Sequence, residues 1–163
     1  MMKKILILIA SVLLCLILQI TLIGGIQAKG GKPDLLLILL VLWAWNTDWK
    51  QGLLAGFFIG LLEDILFSPL LGLNAFSLSL TGFVVGEVKE RVYEENVVAL
   101  LLVTAAASLL NGIVFFSWAR IFNIFSSFLG KISSLTLPTS LYNCLLMFFI
   151  FLIKGKFGRE KIH

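Results

Sequence analysis

Apolar residues dominate this chain in six runs separated by short polar or charged stretches, and this pattern predicts six membrane-spanning helices. A helix needs about 20 apolar residues to cross a bilayer. The shorter runs are expected to thin the bilayer locally or to lean on neighbouring helices. The predicted spans are 5–26, 34–47, 52–67, 73–86, 97–119 and 136–153. We expect one all-α domain over residues 1–163, folded as a compact transmembrane bundle.

The first run, 5–28, follows Lys3 and Lys4 and so has the charge pattern of a secretory signal peptide. The apolar core of a signal peptide is about 7–15 residues long. This run is uncharged for 24 residues. We therefore interpret it as a retained membrane span.

The second run carries a helix-start signal at one end and an interface signal at the other. Pro33 and Asp34 open it, and both residue types favour the first turn of a helix. Trp43, Trp45 and Trp49 cluster at its far end, as in the aromatic belt of a membrane–water interface. The sequence therefore predicts a short span between these two groups.

The distribution of Lys and Arg predicts the orientation of the bundle. Cytoplasmic loops are enriched in these residues, and six spans place both termini on one side. That side carries nine basic residues, which are Lys3, Lys4, Lys50, Lys89, Arg91, Lys154, Lys156, Arg159 and Lys161. The other side carries four, which are Lys29, Lys32, Arg120 and Lys131. Both termini are predicted to be cytoplasmic, and the net charge of +4 needs no nucleic-acid partner.

Two polar segments between the runs each allow two interpretations. Segment 87–96 is the densest charge cluster, and it fits either a solvated loop of mixed charge or a docking site. Segment 120–134 has apolar residues at helical spacing. It fits either an interfacial helix on the outer side or the continued end of the fifth span.

Composition agrees with a membrane protein and offers little catalytic chemistry. The chain is 60% hydrophobic and 13% charged, against about 45–50% and about 25% in soluble domains. Cys15 and Cys144 lie inside apolar runs, and the sole histidine is His163. These residues show no metal-ligand spacing. We predict no cofactor, no metal and no enzymatic activity.

The third run contains a stripe of small residues that ends in an acid. Gly52, Gly56, Gly60 and Asp64 are spaced four apart, so a helix places them on one face. Small residues at this spacing allow close approach of a second helix. Asp64 either caps the fourth span or bonds to a neighbour there, or it serves a partner or ligand. Adjacent Glu63 points about 100° away, which argues against a catalytic carboxylate pair.

The segment after Ser68-Pro69 carries turn signals, followed by a second stripe. Gly72 suits a tight turn, and Asn74 is predicted to be the N-cap of the fourth span. Gly82 and Gly86 form the second small-residue stripe, in that span. Thr104, Ser108 and Gly112 form a third stripe, in the fifth span. Tight packing is therefore predicted among the third, fourth and fifth spans.

Four short motifs lie in this region, 33–38 (PDLLLI), 56–64 (GxxxGLLxD), 68–75 (SPLLGLNA) and 81–83 (TGF). In their order and spacing they resemble the family of rod-shape-determining proteins MreD. The resemblance covers about residues 33–86. It implies a packing or partner-binding role for the matching positions Pro33, Gly56, Gly60, Asp64, Gly72 and Gly82. It also implies a fold similar to the substrate-binding membrane subunits of energy-coupling-factor transporters.

The resemblance implies a scaffold of the cell-wall elongation machinery in the bacterial cytoplasmic membrane. Its implied partners are MreC, RodA, a class B penicillin-binding protein, MreB filaments through MreC, and membrane lipids. The alternative is a carrier or substrate-binding subunit for a small molecule. That alternative predicts a polar cavity lined by Glu63, Asp64, Asn74, Asn111 or Asn143.

Overall fold

The computed structural model describes residues 2–23, 32–68, 70–91, 97–122 and 132–159, and these form six α-helices without a strand. The helices are α1 (Met2–Ile23), α2 (Leu35–Trp45), α3 (Trp49–Phe67), α4 (Leu73–Lys89), α5 (Val97–Ile121) and α6 (Leu137–Arg159). A π-helical turn, Ile132–Thr136, leads directly into α6. The predicted all-helical class is confirmed over the described residues.

Helix α2 lies at the centre of the bundle and contacts all five other helices. Leu36, Leu37, Leu40 and Val41 are at most 1% exposed. A helix that is apolar on every side is usually buried on every side. All 11 residues of α2 are apolar, which agrees with its central position. Its 11 residues extend only about 16 Å, so α2 is a core helix shorter than the bilayer is thick.

The start of α2 differs by a residue from the prediction. Asp34 is the N-cap, and its Oδ1 accepts a hydrogen bond from the Leu37 N–H at 3.0 Å. Pro33 precedes the cap and therefore lies outside the first turn, where it was expected. Its restricted φ still suits the extended entry to the helix.

The predicted loop 87–96 begins too early, because α4 continues to Lys89. Glu87 and Arg91 lie one turn apart and form an ion pair at 4.0 Å, as charges at this spacing do on a helix. Residues 92–96 lie outside the described residues. The prediction of a loop is therefore wrong for the part that belongs to α4.

Helix α5 ends at Ile121, so the first two residues of segment 120–134 continue the fifth helix. Trp118 stacks on Phe122 at this end, with ring centroids 6.1 Å apart. Residues 123–131 lie outside the described residues, and the choice between the two interpretations stays open there.

Among the described residues, two stretches are long and apolar enough to cross a membrane, Val97–Ile121 and Ser134–Ile153. Other helices are shorter or carry charge, but they expose bulky apolar side chains on the outside of the bundle. Examples are Ile7, Leu14, Phe58 and Ile65, each at least 58% exposed. Such a surface is unfavourable in water and favourable in lipid.

Candidate functional site

Helices α3 and α4 form the most extensive helix pair among the described residues, and glycines lie at their contact. Gly52 and Gly82 face each other reciprocally. A Cβ built on either one would lie closer than 3.0 Å to the carbonyl oxygen of the other. The two backbones therefore touch directly, which only glycine permits at these positions.

The same contact continues along both helices. A Cβ at Gly56 would collide with the backbone of Leu78, and one at Gly60 with the backbone of Asn74. At the other end of α4, Gly86 lies against the backbone of Trp49. Such proximity allows weak Cα–H···O contacts between helices. We call this region, α3 and α4 with the turn between them, the α3–α4 hairpin.

Asp64 ends the glycine stripe and binds the beginning of α4. Its Oδ2 accepts hydrogen bonds from the N–H groups of Gly72 at 2.8 Å and Ala75 at 3.0 Å. Its Oδ1 accepts one from the N–H of Asn74 at 2.9 Å. The first N–H groups of a helix have no partner within the helix, and a negative charge there also favours the helix dipole. Asp64 therefore caps α4 from α3.

The N-cap position itself is occupied by Gly72, which has φ of 104° and no side chain to cap with. This left-handed conformation favours glycine. The prediction of Asn74 as N-cap is wrong, because Asn74 is already inside the helix. The chain reversal at Gly72 places the first helical turn of α4 against Asp64. The side chain that caps α4 therefore comes from the preceding helix, α3.

Glu63, the neighbour of Asp64, has a different environment. Asp64 is 1% exposed, whereas Glu63 is half-buried. Within the described part of the chain we find no hydrogen bond to the Glu63 carboxylate. The two carboxylates thus do not converge on one point, as an acid–base pair would need to.

The other polar groups expected around a ligand cavity bind separate neighbours. The Ser77 hydroxyl donates to the Asn111 carbonyl oxygen at 2.8 Å and contacts its Oδ1 at 2.5 Å, which joins α4 to α5. Asn143 is fully buried. Its Oδ1 accepts from the Asp34 N–H at 2.8 Å, and its Nδ2 donates to Ser108 Oγ at 3.0 Å. These polar groups therefore have separate hydrogen-bond partners.

The comparison with protein-family models gives one match, to MreD, the rod shape-determining protein, over residues 1–160. The chain belongs to the MreD family. Proteins of this family are bacterial membrane components of the MreBCD shape-determining system. The family is not a known enzyme family. The chain therefore has a role in rod-shape determination.

No curated protein and no solved structure matches this MreD-family chain. The expected similarity in architecture to the substrate-binding subunits of energy-coupling-factor transporters thus stays a prediction. The family match extends well beyond the region of the four motifs, to both ends of the chain.

The sequence did not predict that Asn143 of this MreD-family chain accepts a hydrogen bond from the Asp34 N–H. Asp34 and Asn143 are 109 residues apart, and nothing local connects them. The Lys32 N–H also donates to Thr139 Oγ1 at 3.2 Å, so α6 holds the segment that enters α2. The signal in the sequence was the side-chain amide of Asn143 inside an apolar run, because a polar group in a membrane must find a hydrogen-bond partner.

Between α4 and α5 the structure has a small cavity of about 80 Å³. Valine and alanine side chains form most of its lining, together with Thr81. The Thr81 hydroxyl donates to the Ser77 carbonyl oxygen at 2.8 Å. The cavity therefore presents no unsatisfied polar group of Thr81 to a ligand.

Proposed function

We propose that the chain is a non-enzymatic membrane scaffold of the cell-wall elongation machinery. In this proposal it binds MreC and helps to position RodA and a class B penicillin-binding protein. MreB filaments connect through MreC, and both termini are cytoplasmic. Membership of the MreD family supports the shape-determining part of this proposal.

The proposal rests on the observation that the motif residues of the α3–α4 hairpin contact each other inside the hairpin. Its glycines contact backbone, and the carboxylate of Asp64 accepts three hydrogen bonds from α4. The motif residues thus hold two helices together rigidly. A rigid helix pair is suited to presenting its outer surface to other membrane helices.

The separate hydrogen-bond partners of the polar groups favour a scaffold over a carrier. A carrier needs polar groups that converge on its ligand. Here Asp64, Asn111 and Asn143 bind three different sets of neighbours. Among the described residues these three groups share no hydrogen-bond partner, which favours the scaffold over the carrier.

Photo-crosslinking from outward-facing positions tests the proposal in cells. A photoreactive amino acid is placed at Ile7, Phe58, Leu102 or Leu145, which are each at least 56% exposed and lie on four different helices. We expect MreC to be captured from one or two adjacent faces, since a partner helix covers only part of the bundle. A photoreactive residue at Leu40, which is 0% exposed, serves as the control and should capture no partner.

Capture of MreC from none of the four positions would contradict the proposal, provided that the chain accumulates normally. Equal capture from all four would indicate random collision in the membrane. Either result would contradict the proposal that the chain binds MreC directly as a scaffold. The family membership would not be affected.

A further inference from the structure

The entry to α6 is wound more loosely than the rest of the helix. Ile132–Thr136 is a π-helical turn, in which each N–H bonds to the carbonyl five residues before it, and such turns occur often at functional sites. Pro138 follows two residues later. It has no N–H, so it cannot form the α-helical bond to the carbonyl four residues before it. A local π adjustment next to a proline gives the freed backbone groups of a membrane helix other partners, and Pro138 therefore favours the wider turn.

Thr136, the last residue of this π turn, carries a buried hydroxyl. Its side chain is 5% exposed, and its Oγ1 has no hydrogen-bond partner among the described residues. Four other threonines donate their hydroxyl to the carbonyl four residues before them, at 2.6–2.8 Å, as threonines in helices often do. They are Thr21, Thr47, Thr81 and Thr104. Thr136 makes no such bond to the Ile132 carbonyl, because the wider turn changes the position of that carbonyl.

The side chain of Thr136 packs against α5 at Gly112. A Cβ built at Gly112 would lie closer than 3.0 Å to Oγ1 and Cγ2 of Thr136, so glycine leaves the room that the π turn needs. Further along α6, Asn143 Nδ2 donates to Ser108 Oγ of α5 at 3.0 Å. This bond fixes the later part of α6 against α5. A change of helical register at the start of α6 must therefore be absorbed in the π turn.

We propose that Ile132–Thr136 is a two-state element that converts between this π-helical form and an α-helical form. In the α form the Thr136 hydroxyl donates to the Ile132 carbonyl, as the other four threonines do to theirs. A buried hydroxyl that gains a hydrogen bond favours that form. Pro138 opposes it, since a proline inside an α-helix disfavours the helix about 100-fold. The two preferences act in opposite directions, so both forms are populated.

The conversion would reorient the chain that leads into α6. A change of register by one residue corresponds to a rotation of about 100° and a translation of about 1.5 Å. Register shifts of this kind take microseconds to milliseconds. A partner that binds the preceding chain more tightly in one form shifts the equilibrium toward that form. The inference needs only the packing of α5 and α6, so it stands apart from the scaffold function.

Nuclear magnetic resonance of the full chain in nanodiscs, with ¹³C-labelled threonine methyl groups, tests this switch. In the π form the Thr136 methyl group lies against Gly112, which predicts a nuclear Overhauser effect to the Gly112 Hα protons. We expect relaxation dispersion at the Thr136 methyl group from a minor form of about 1–10%. The Thr104 methyl group is the internal control. Thr104 is 0% exposed and its hydroxyl is bonded, so its dispersion should be flat.

Two variants should move the equilibrium in opposite directions. Pro138→Ala favours the α form about 100-fold, so the Overhauser effect between residues 112 and 136 should fall by about half or more. Thr136→Val keeps the shape of the side chain and removes the hydroxyl, so the exchange should disappear and the Overhauser effect should persist. Thr104→Val is the matched control. It removes a buried hydroxyl from a regular α-helix and should leave both signals of Thr136 unchanged.

An undiminished Overhauser effect in Pro138→Ala would overturn the proposal, as would flat dispersion at Thr136 in the parent chain. Equal exchange at Thr104 and Thr136 would also overturn it, because it would indicate motion of the whole bundle. If Pro138→Ala fails to fold, the comparison of the parent with Thr136→Val decides. Exchange that persists unchanged in Thr136→Val would show that the hydroxyl does not drive the conversion.

Discussion

At the scale of residues, Asp64 shows how a carboxylate is accommodated inside an apolar bundle. A charged side chain in a membrane is costly unless protein groups solvate it. Here the N–H groups of Gly72, Asn74 and Ala75 do so. The same three bonds satisfy donors that α4 would otherwise leave unpaired. Asp64 is thus a structural link between two helices.

Asp64→Asn should destabilise the protein by about 3 kcal/mol, because an amide offers one acceptor oxygen and turns its NH₂ group toward N–H donors. Unfolding by SDS titration, followed by circular dichroism, measures the change. Glu63→Gln is the matched control and should cost less than about 1 kcal/mol. Equal losses in the two variants would contradict the capping role of Asp64.

At the scale of elements, the α3–α4 hairpin is closed by backbone contact, and the contact between α4 and α5 uses side chains. Phe76 meets Trp118 edge to face, with ring centroids 5.0 Å apart, and Ser77 binds Asn111. Side chains can repack after a substitution, whereas two touching backbones must separate. The glycine contact is therefore the less tolerant of the two.

Gly56→Ala tests this intolerance with a single added carbon. The new Cβ would lie closer than 3.0 Å to the backbone of Leu78 and Ser79. Overpacking of this kind costs about 1–3 kcal/mol. Val98→Ile adds one carbon at a position that is 63% exposed, and it should change stability by less than about 0.5 kcal/mol. The SDS titration described above measures both, and a Gly56→Ala chain as stable as the control would contradict direct backbone contact.

At the scale of the whole molecule, the bundle is organised around a core helix that is too short to span a bilayer by itself. The surrounding helices shield α2, and α6 holds its entry through Asn143. Bulky apolar side chains cover the outside, as a lipid environment requires. Helix α6 is thus joined to the N-terminal end of the central helix α2.

The predicted orientation can be checked by labelling single cysteines in intact cells. Cysteine replaces Lys50, Arg120 or His163 in a chain without Cys15 and Cys144. A membrane-impermeant reagent should label only the cysteine at Arg120, because basic residues are enriched on the cytoplasmic side. All three should react in permeabilised cells, which is the control for accessibility. Labelling at His163 from outside would contradict a cytoplasmic C-terminus.

Much of the helical organisation follows from local sequence. Apolar runs predict each helix, Asp34 marks the start of α2, and a break after Phe67 ends α3. The end of α4 is less predictable, because charged residues such as Glu87 and Lys89 suit either a loop or a helix end. Where the apolar pattern is weak, the hydrogen bonds of the folded chain decide where a helix begins or ends.

The sequence by itself determined that the chain is helical, apolar and striped with glycine, because these properties depend on residue type and short-range spacing. Only the tertiary structure decided what the polar groups bind. Gly72 takes the N-cap position in place of Asn74, Asp64 supplies the cap from another helix, and Asn143 meets Asp34 across 109 residues. Such pairs depend on how helices pack in space, and one-dimensional spacing carries no record of that packing.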